Sequence, residues 1–153
     1  MTRFGSRTFS ALLGTLPLAA ALATLAVSPV QARGHAAPAA APVKTTAARI
    51  LVTSRGRTLY VFAPDPKGKS TCYGTCAKYW PARLVPAGTT PAAKVAGLPG
   101  TFGVAARTDG TQQLTYDGAP LYTFAGDKKA GDMNGQGLDV AGGYWWVVVA
   151  GGQ

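Results

Sequence analysis

The chain has 153 residues, with 15 Lys and Arg against 6 acidic residues and one His, a formal net charge of +9. Every acid is Asp, and the one His, His35, lies in an Ala/Pro-rich stretch near the N-terminus. The folded part therefore lacks the parts for a Ser-His-Asp or Cys-His site, a Glu general acid or a four-ligand zinc site.

The N-terminus reads as a signal peptide. Arg3 and Arg7 precede the apolar run ALLGTLPLAAALATLAV at residues 11–27, Ser28-Pro29 breaks it, and Val30-Gln31-Ala32 offers small residues for cleavage after Ala32. The run is slightly short for a membrane span and rich in Ala rather than Leu, so no transmembrane segment is expected after cleavage of residues 1–32. No Cys stands at the cleavage point. The expected product is exported, periplasmic or extracellular, and not lipid-anchored. Trimming leaves about 121 residues, one ordinary domain by length. It keeps 13 basic and 6 acidic residues, a net +7.

Residues 33–48, RGHAAPAAAPVKTTAA, hold one large apolar residue, Val43, and read as an extended tether. The folded unit is expected over 49–150 as one β domain of two repeats, 49–86 and 101–150. Beyond the tether, apolar residues alternate between Gly and Pro punctuation rather than recurring at helical spacing. Residues 50–52, a turn at 54–57 and residues 58–62 form a hairpin pattern. Residues 73–80 are the one short helical stretch, ended by Pro81. A Pro/Gly-rich connection covers 86–100. Residues 102–107, 113–116 and 121–124 read as a three-strand meander, turning at Asp109-Gly110 and Asp117-Gly118, since Gly tolerates the positive φ of tight turns. YWWVVVA, residues 144–150, reads as a buried final strand. The fold class is mostly β: two imperfect repeats of antiparallel hairpin or meander packed together, with one short helical turn.

The repeats announce themselves in LYVFAPD, residues 59–65, and LYTFAGD, residues 121–127, each with a Gly three positions earlier, Gly56 and Gly118. Residues two apart on a strand share a face, so Tyr60 points with Phe62 and Tyr122 with Phe124. The aromatic face is the expected core, with Leu59 and Val61 on the other. Asp65 and Asp127 end the two strands. Each is read as accepting hydrogen bonds from the following loop or from a motif tyrosine. The sharper alternative brings the two carboxylates together as an acid/base pair or a cation site.

Cys72 and Cys76 read as a structural disulfide in an exported protein, closing a loop for about 2 kcal/mol. A redox pair normally has two intervening residues on a βαβ background, and haem attachment needs a His where Ala77 stands. Residues 126–139, GDKKAGDMNGQGLD, place Asp127, Asp132, Asn134 and Asp139 among glycines, as calcium loops do. Lys128-Lys129 oppose a cation, and Asn134-Gly135 suits a tight turn. These four are weak metal candidates; no metal and no cofactor is expected.

Tyr60-x-Phe62-x-x-Asp65 and Tyr122-x-Phe124-x-x-Asp127 both match a Tyr-x-(Phe/Trp/Tyr)-x-x-Asp motif. CYGTCAKYWP, GDMNGQG and the terminal Tyr-Trp-Trp add to it. The chain resembles, over residues 49–150, the secreted-repeat family of bacterial envelope proteins that this motif defines, many of them predicted lipoproteins. The resemblance implies an envelope or extracellular protein without an established reaction. Many members carry a lipid-attachment Cys that this chain lacks, which favours a soluble exported form. The reading leans away from an enzyme and towards a binding or structural module. Its expected partner is an anionic envelope polymer or another envelope protein, and not nucleic acid. The alternative is a metal- or cofactor-binding module using Tyr and Asp oxygens.

Overall fold

The structure is a computed structural model that describes residues 43–151. The expected signal peptide, residues 1–32, and residues 33–42 of the expected tether lie outside the described residues.

Among the described residues, nine short strands and one helix follow in order. Strand β1, Val43–Thr45, pairs antiparallel with β2, Leu51–Thr53, in the register Val43↔Thr53. Ordered structure therefore reaches into the stretch read as tether: Val43, its one large apolar residue, is buried and pulls its neighbours onto the sheet. After the turn around Gly56, Val52 bridges Thr58, and the chain enters β3, Tyr60–Phe62. The expected hairpin is thus held only near its turn, because β3 leaves β2 to pair with the last strand. Helix α1, Thr75–Tyr79, is a single turn and ends at Trp80 before Pro81. Strand β4, Leu84–Val85, then pairs with β6.

Strands β5, Phe102–Ala106, and β6, Gln112–Tyr116, form the hairpin predicted around Asp109-Gly110. Asp109 stabilises its turn by accepting the backbone N–H of Thr111 at 3.0 Å. A two-residue turn follows in which Asp117 and Gly118 both have positive φ, 49° and 84°, as a type I′ turn requires. It leads to β7, Ala119–Pro120, paired with the end of β6. The meander's third strand is therefore not residues 121–124. Leu121 still donates its N–H to Leu114 of β6; beyond it the chain leaves β6, and Tyr122 bridges Tyr60 on one side and Ala82 on the other. Strand β8, Asp139–Val140, falls where a loop was expected and makes a hairpin with β9, Gly143–Val147. Strand β9 also pairs with β3, Tyr60↔Val147 to Phe62↔Trp145.

Both faces of the first motif strand are buried, which corrects the expectation of an aromatic core face alone. Leu59 and Val61 join Leu51, Phe102, Leu114 and Leu121 in one cluster. Tyr60 and Phe62 join Cys72, Trp80, Tyr122 and Trp145 in another. Alternating residues thus feed two cores, as happens when a strand is covered on both sides. The final run is less buried than expected. Trp145, Val148 and Ala150 are inside, whereas Tyr144 and Trp146 point outward and stack on each other at 5.7 Å.

Candidate functional site

The two copies of the motif meet at their tyrosines. Tyr60 donates its backbone N–H to the carbonyl of Tyr122 at 2.9 Å, and Tyr122 returns the bond to Tyr60 at 2.9 Å. Their side chains then cross. The Tyr60 hydroxyl donates to Asp127 Oδ2 at 2.9 Å, and the Tyr122 hydroxyl donates to Asp65 Oδ2. Each aspartate therefore serves the tyrosine of the opposite copy and not that of its own.

The remaining carboxylate oxygens fasten loops. Asp65 Oδ1 accepts the N–H of Thr71 at 2.7 Å and its hydroxyl at 2.6 Å. Asp127 Oδ1 accepts the N–H of Asn134 at 2.9 Å. The Tyr60 hydroxyl also accepts the N–H of Gly135 at 3.3 Å, and Ser70 Oγ lies 2.7 Å from the Tyr122 hydroxyl. Burial, and next the hydrogen bond to a carboxylate, push both phenols well above the usual tyrosine range. Both tyrosines are protonated donors at neutral pH.

The rings repeat the crossing. Phe124, Trp80, Trp145 and Phe62 form one stacked column, with centroid separations of 4.2, 3.8 and 4.3 Å. Each motif phenylalanine lies on the tryptophan of the other copy. Tyr60 meets Trp80 edge-on at 5.4 Å, and Tyr122 meets Trp145 edge-on at 5.1 Å. Offset-stacked and edge-on contacts suit the ring quadrupoles, so the arrangement stabilises beyond its buried area.

Arg107, which sequence reasoning left as an ordinary strand-end residue, ties the first copy's loop to this centre. It is buried, and its guanidinium donates to Ser70 Oγ at 2.9 Å, Gln113 Oε1 at 2.7 Å and the Cys72 carbonyl at 3.2 Å. It also pairs with Asp109 at 3.2 Å and lies 4.2 Å above the ring of Tyr73. Cys72 is disulfide-bonded to Cys76 and is itself buried beside Trp80.

Of the four weak metal candidates, Asp127, Asp132 and Asn134 are engaged in hydrogen bonds. Asp127 faces Tyr60, while Asp132 Oδ2 accepts the N–H groups of Lys128 at 2.8 Å and Lys129 at 3.0 Å. Those bonds, with that of Lys129 the larger, hold Asp132 below the usual carboxylate range. Asn134 Nδ2 donates to the Gly126 carbonyl at 3.3 Å, and Asp139 sits exposed in β8. Among the described residues no three His, Cys, Asp or Glu side chains gather as a metal site.

Two concave surfaces flank the centre. One, of about 570 Å³, has apolar walls from α1, the Phe124 end of the ring column, Leu138 and Val140. The other, of about 440 Å³, is lined by Arg55, Arg57 and Arg83 with Thr53, Ser54 and Thr123. Neither was foreseen, although Arg55 and Arg57 flanking the Gly56 turn were a visible hint.

Two copies interlocked through their motif side chains define a duplicated β domain. The chain matches the family described as a secreted repeat of unknown function over residues 42–83 and 103–149, and it belongs to that family. No curated protein and no solved structure matches it. Among the described residues no helix is long and apolar enough to cross a membrane.

Proposed function

We propose that the protein is an exported, non-enzymatic binding module that holds an anionic partner of the cell envelope. One observation carries this reading. From residue 43 onward Lys and Arg outnumber Asp two to one, yet among the described residues a single ion pair forms, Arg107–Asp109. The positive charge is thus not used up inside the fold, and it attracts anionic surfaces over about a Debye length, near 10 Å at moderate salt. The engagement of Asp65 and Asp127 by tyrosines of the opposite copies supports a structural role for the motif carboxylates. Retention of the exported chain on envelope fractions tests the proposal. Release by rising salt is the expected result, and retention indifferent to salt would sink it.

A second reading is favoured by the apolar cleft beside α1. Its volume and walls suit a small, flat, apolar compound resting on the Phe124 end of the ring column. An absorption spectrum of natively purified protein decides this: a bound chromophore supports it. A colourless sample whose Trp emission ignores added apolar dyes counts against it.

A further inference from the structure

The cleft formed by Arg55, Arg57 and Arg83 brings together three cations from two separate segments. Arg55 and Arg57 flank the Gly56 turn, and Arg83 follows the Ala82 bridge to Tyr122. None of the three makes an ion pair within 4.0 Å among the described residues. Like charges set side by side without a counter-charge repel one another, so the arrangement opposes folding unless it meets an anion.

Two further observations point the same way. The Nε atoms of Arg57 and Arg83 are buried and have no hydrogen-bond acceptor. Buried donors are almost always satisfied, and one left alone carries its desolvation cost uncompensated. Among the described residues the pair's guanidinium groups make a single hydrogen bond to the protein, from Arg57 Nη2 to the Phe124 carbonyl at 3.3 Å. The rest of the wall is Ala82 and the hydroxyl side chains of Ser54, Thr53 and Thr123. Of these, Thr53 Oγ1 accepts the N–H of Arg57 at 3.1 Å and helps set the turn.

We infer that this cleft is a binding site for the phosphate ester groups of an anionic polymer, gripped by Arg55, Arg57 and Arg83. Guanidinium forks match the oxygens of phosphate bidentately, which a lysine cluster does not. A phosphodiester and a carboxylate each carry a single charge, so three cations suit a chain that presents successive phosphodiesters rather than one isolated acid. Ala82 is the sole apolar side chain in the wall, so there is no seat for an acyl chain. A polymer phosphate is therefore favoured over a lipid head group. The inference rests on the anionic-partner reading and names its contact point.

The test is arginine footprinting of the full exported chain with a phenylglyoxal reagent, mapped by peptide mass. The probes are inorganic phosphate, a poly(glycerol phosphate), acetate and phosphatidylglycerol vesicles. Inorganic phosphate and the polymer are expected to protect Arg55, Arg57 and Arg83 while Arg49 stays as reactive as before; acetate protects weakly. R55Q, at an exposed position, is expected to weaken phosphate binding about tenfold, as loss of one charge-assisted contact predicts. Equal protection of all arginines, none at the cleft, or unchanged binding by R55Q together with R83Q overturns the site. Protection by vesicles and not by the polymer overturns the choice of polymer. If envelope retention responds to salt but the cleft is unprotected, the site fails and the module reading stands. If phosphate protects the cleft but retention ignores salt, the module reading fails and the site stands.

Discussion

Tyr60 and Tyr122 exchange backbone N–H···O bonds of 2.9 Å in both directions, so the two copies of the motif touch at equivalent residues. From that contact each phenol reaches the aspartate of the opposite copy, Tyr60 to Asp127 and Tyr122 to Asp65. Double-mutant cycles should show it directly. Y60F with D127N, and Y122F with D65N, are expected to couple by about 1–2 kcal/mol, whereas Y60F with D65N adds independently. Urea midpoints supply the measurement. Coupling within a copy, between Tyr60 and Asp65, would contradict the crossing. Asp127 is fully buried and Asp65 only half-buried, so D127A is the costlier single change.

Alkaline stability follows from the same two phenols. Both are pushed above the ordinary tyrosine range, first by burial and then by the neighbouring carboxylate. A raised folded-state value favours the protonated form in the fold. The associated stability is complete below the unfolded tyrosine range and is lost as pH climbs above it. Phenolate absorbance is expected to rise in two stages, the second coming from Tyr60 and Tyr122 together with loss of folded signal. Y60F and Y122F should shrink the second stage. A single smooth titration of all tyrosines would refute the assignment.

Much of this fold was legible from residue pattern. The β5–β6 hairpin stands in the alternation on either side of Asp109-Gly110, and the pairing of Tyr60 with Phe62 on one face follows from strand period alone. Strand β1 was hidden because Lys44 and Thr45 carry no apolar pattern and only Val43 is buried. Residues 121–124 look like a strand by composition, yet a strand needs paired residues in succession, and in this segment only Tyr122 forms bridges. The crossing of Tyr60 to Asp127 was beyond reach, since 67 residues of chain separate them and spacing along a chain does not report spacing across it. Arg83 was missed for the same reason: it meets Arg55 and Arg57 only once the sheet has formed.

The adjacent tryptophans of β9 separate packing from display. Trp145 is fully buried in the ring column, while Trp146 is 43% exposed and stacks only on Tyr144. W145A is expected to cost about 3–5 kcal/mol by thermal or urea unfolding. W146A should stay within about 0.5 kcal/mol of the parent. Similar losses for both would mean that the outward pair packs against something in solution.

Gly135 is a place where one methyl is too many. A Cβ there would come within 2.5 Å of the Trp80 ring and 3.0 Å of the Tyr60 ring, both fully buried. Its N–H also reaches the Tyr60 hydroxyl. G135A is expected to destabilise by about 1–3 kcal/mol through overpacking, with a shifted Trp emission as the accompanying sign.

Removal of the Cys72–Cys76 bond tests how firmly its loop is held by other means. The closed loop is short, and the C72S/C76S variant is expected to lose about 2 kcal/mol in urea unfolding. It should still fold, because Arg107 continues to grip the Cys72 carbonyl and Ser70. A variant that fails to fold would show that Arg107 alone does not secure the loop.

Either copy taken alone would carry a phenol missing its acceptor and a carboxylate missing its donor. Two free halves supply each other's missing group, so the complete chain amounts to a symmetric dimer whose subunits have been spliced end to end. Splicing replaces an encounter that depends on concentration with one set by the length of the connection, residues 86–100. The contact between the copies therefore forms at any dilution of the protein, since neither half has to find the other.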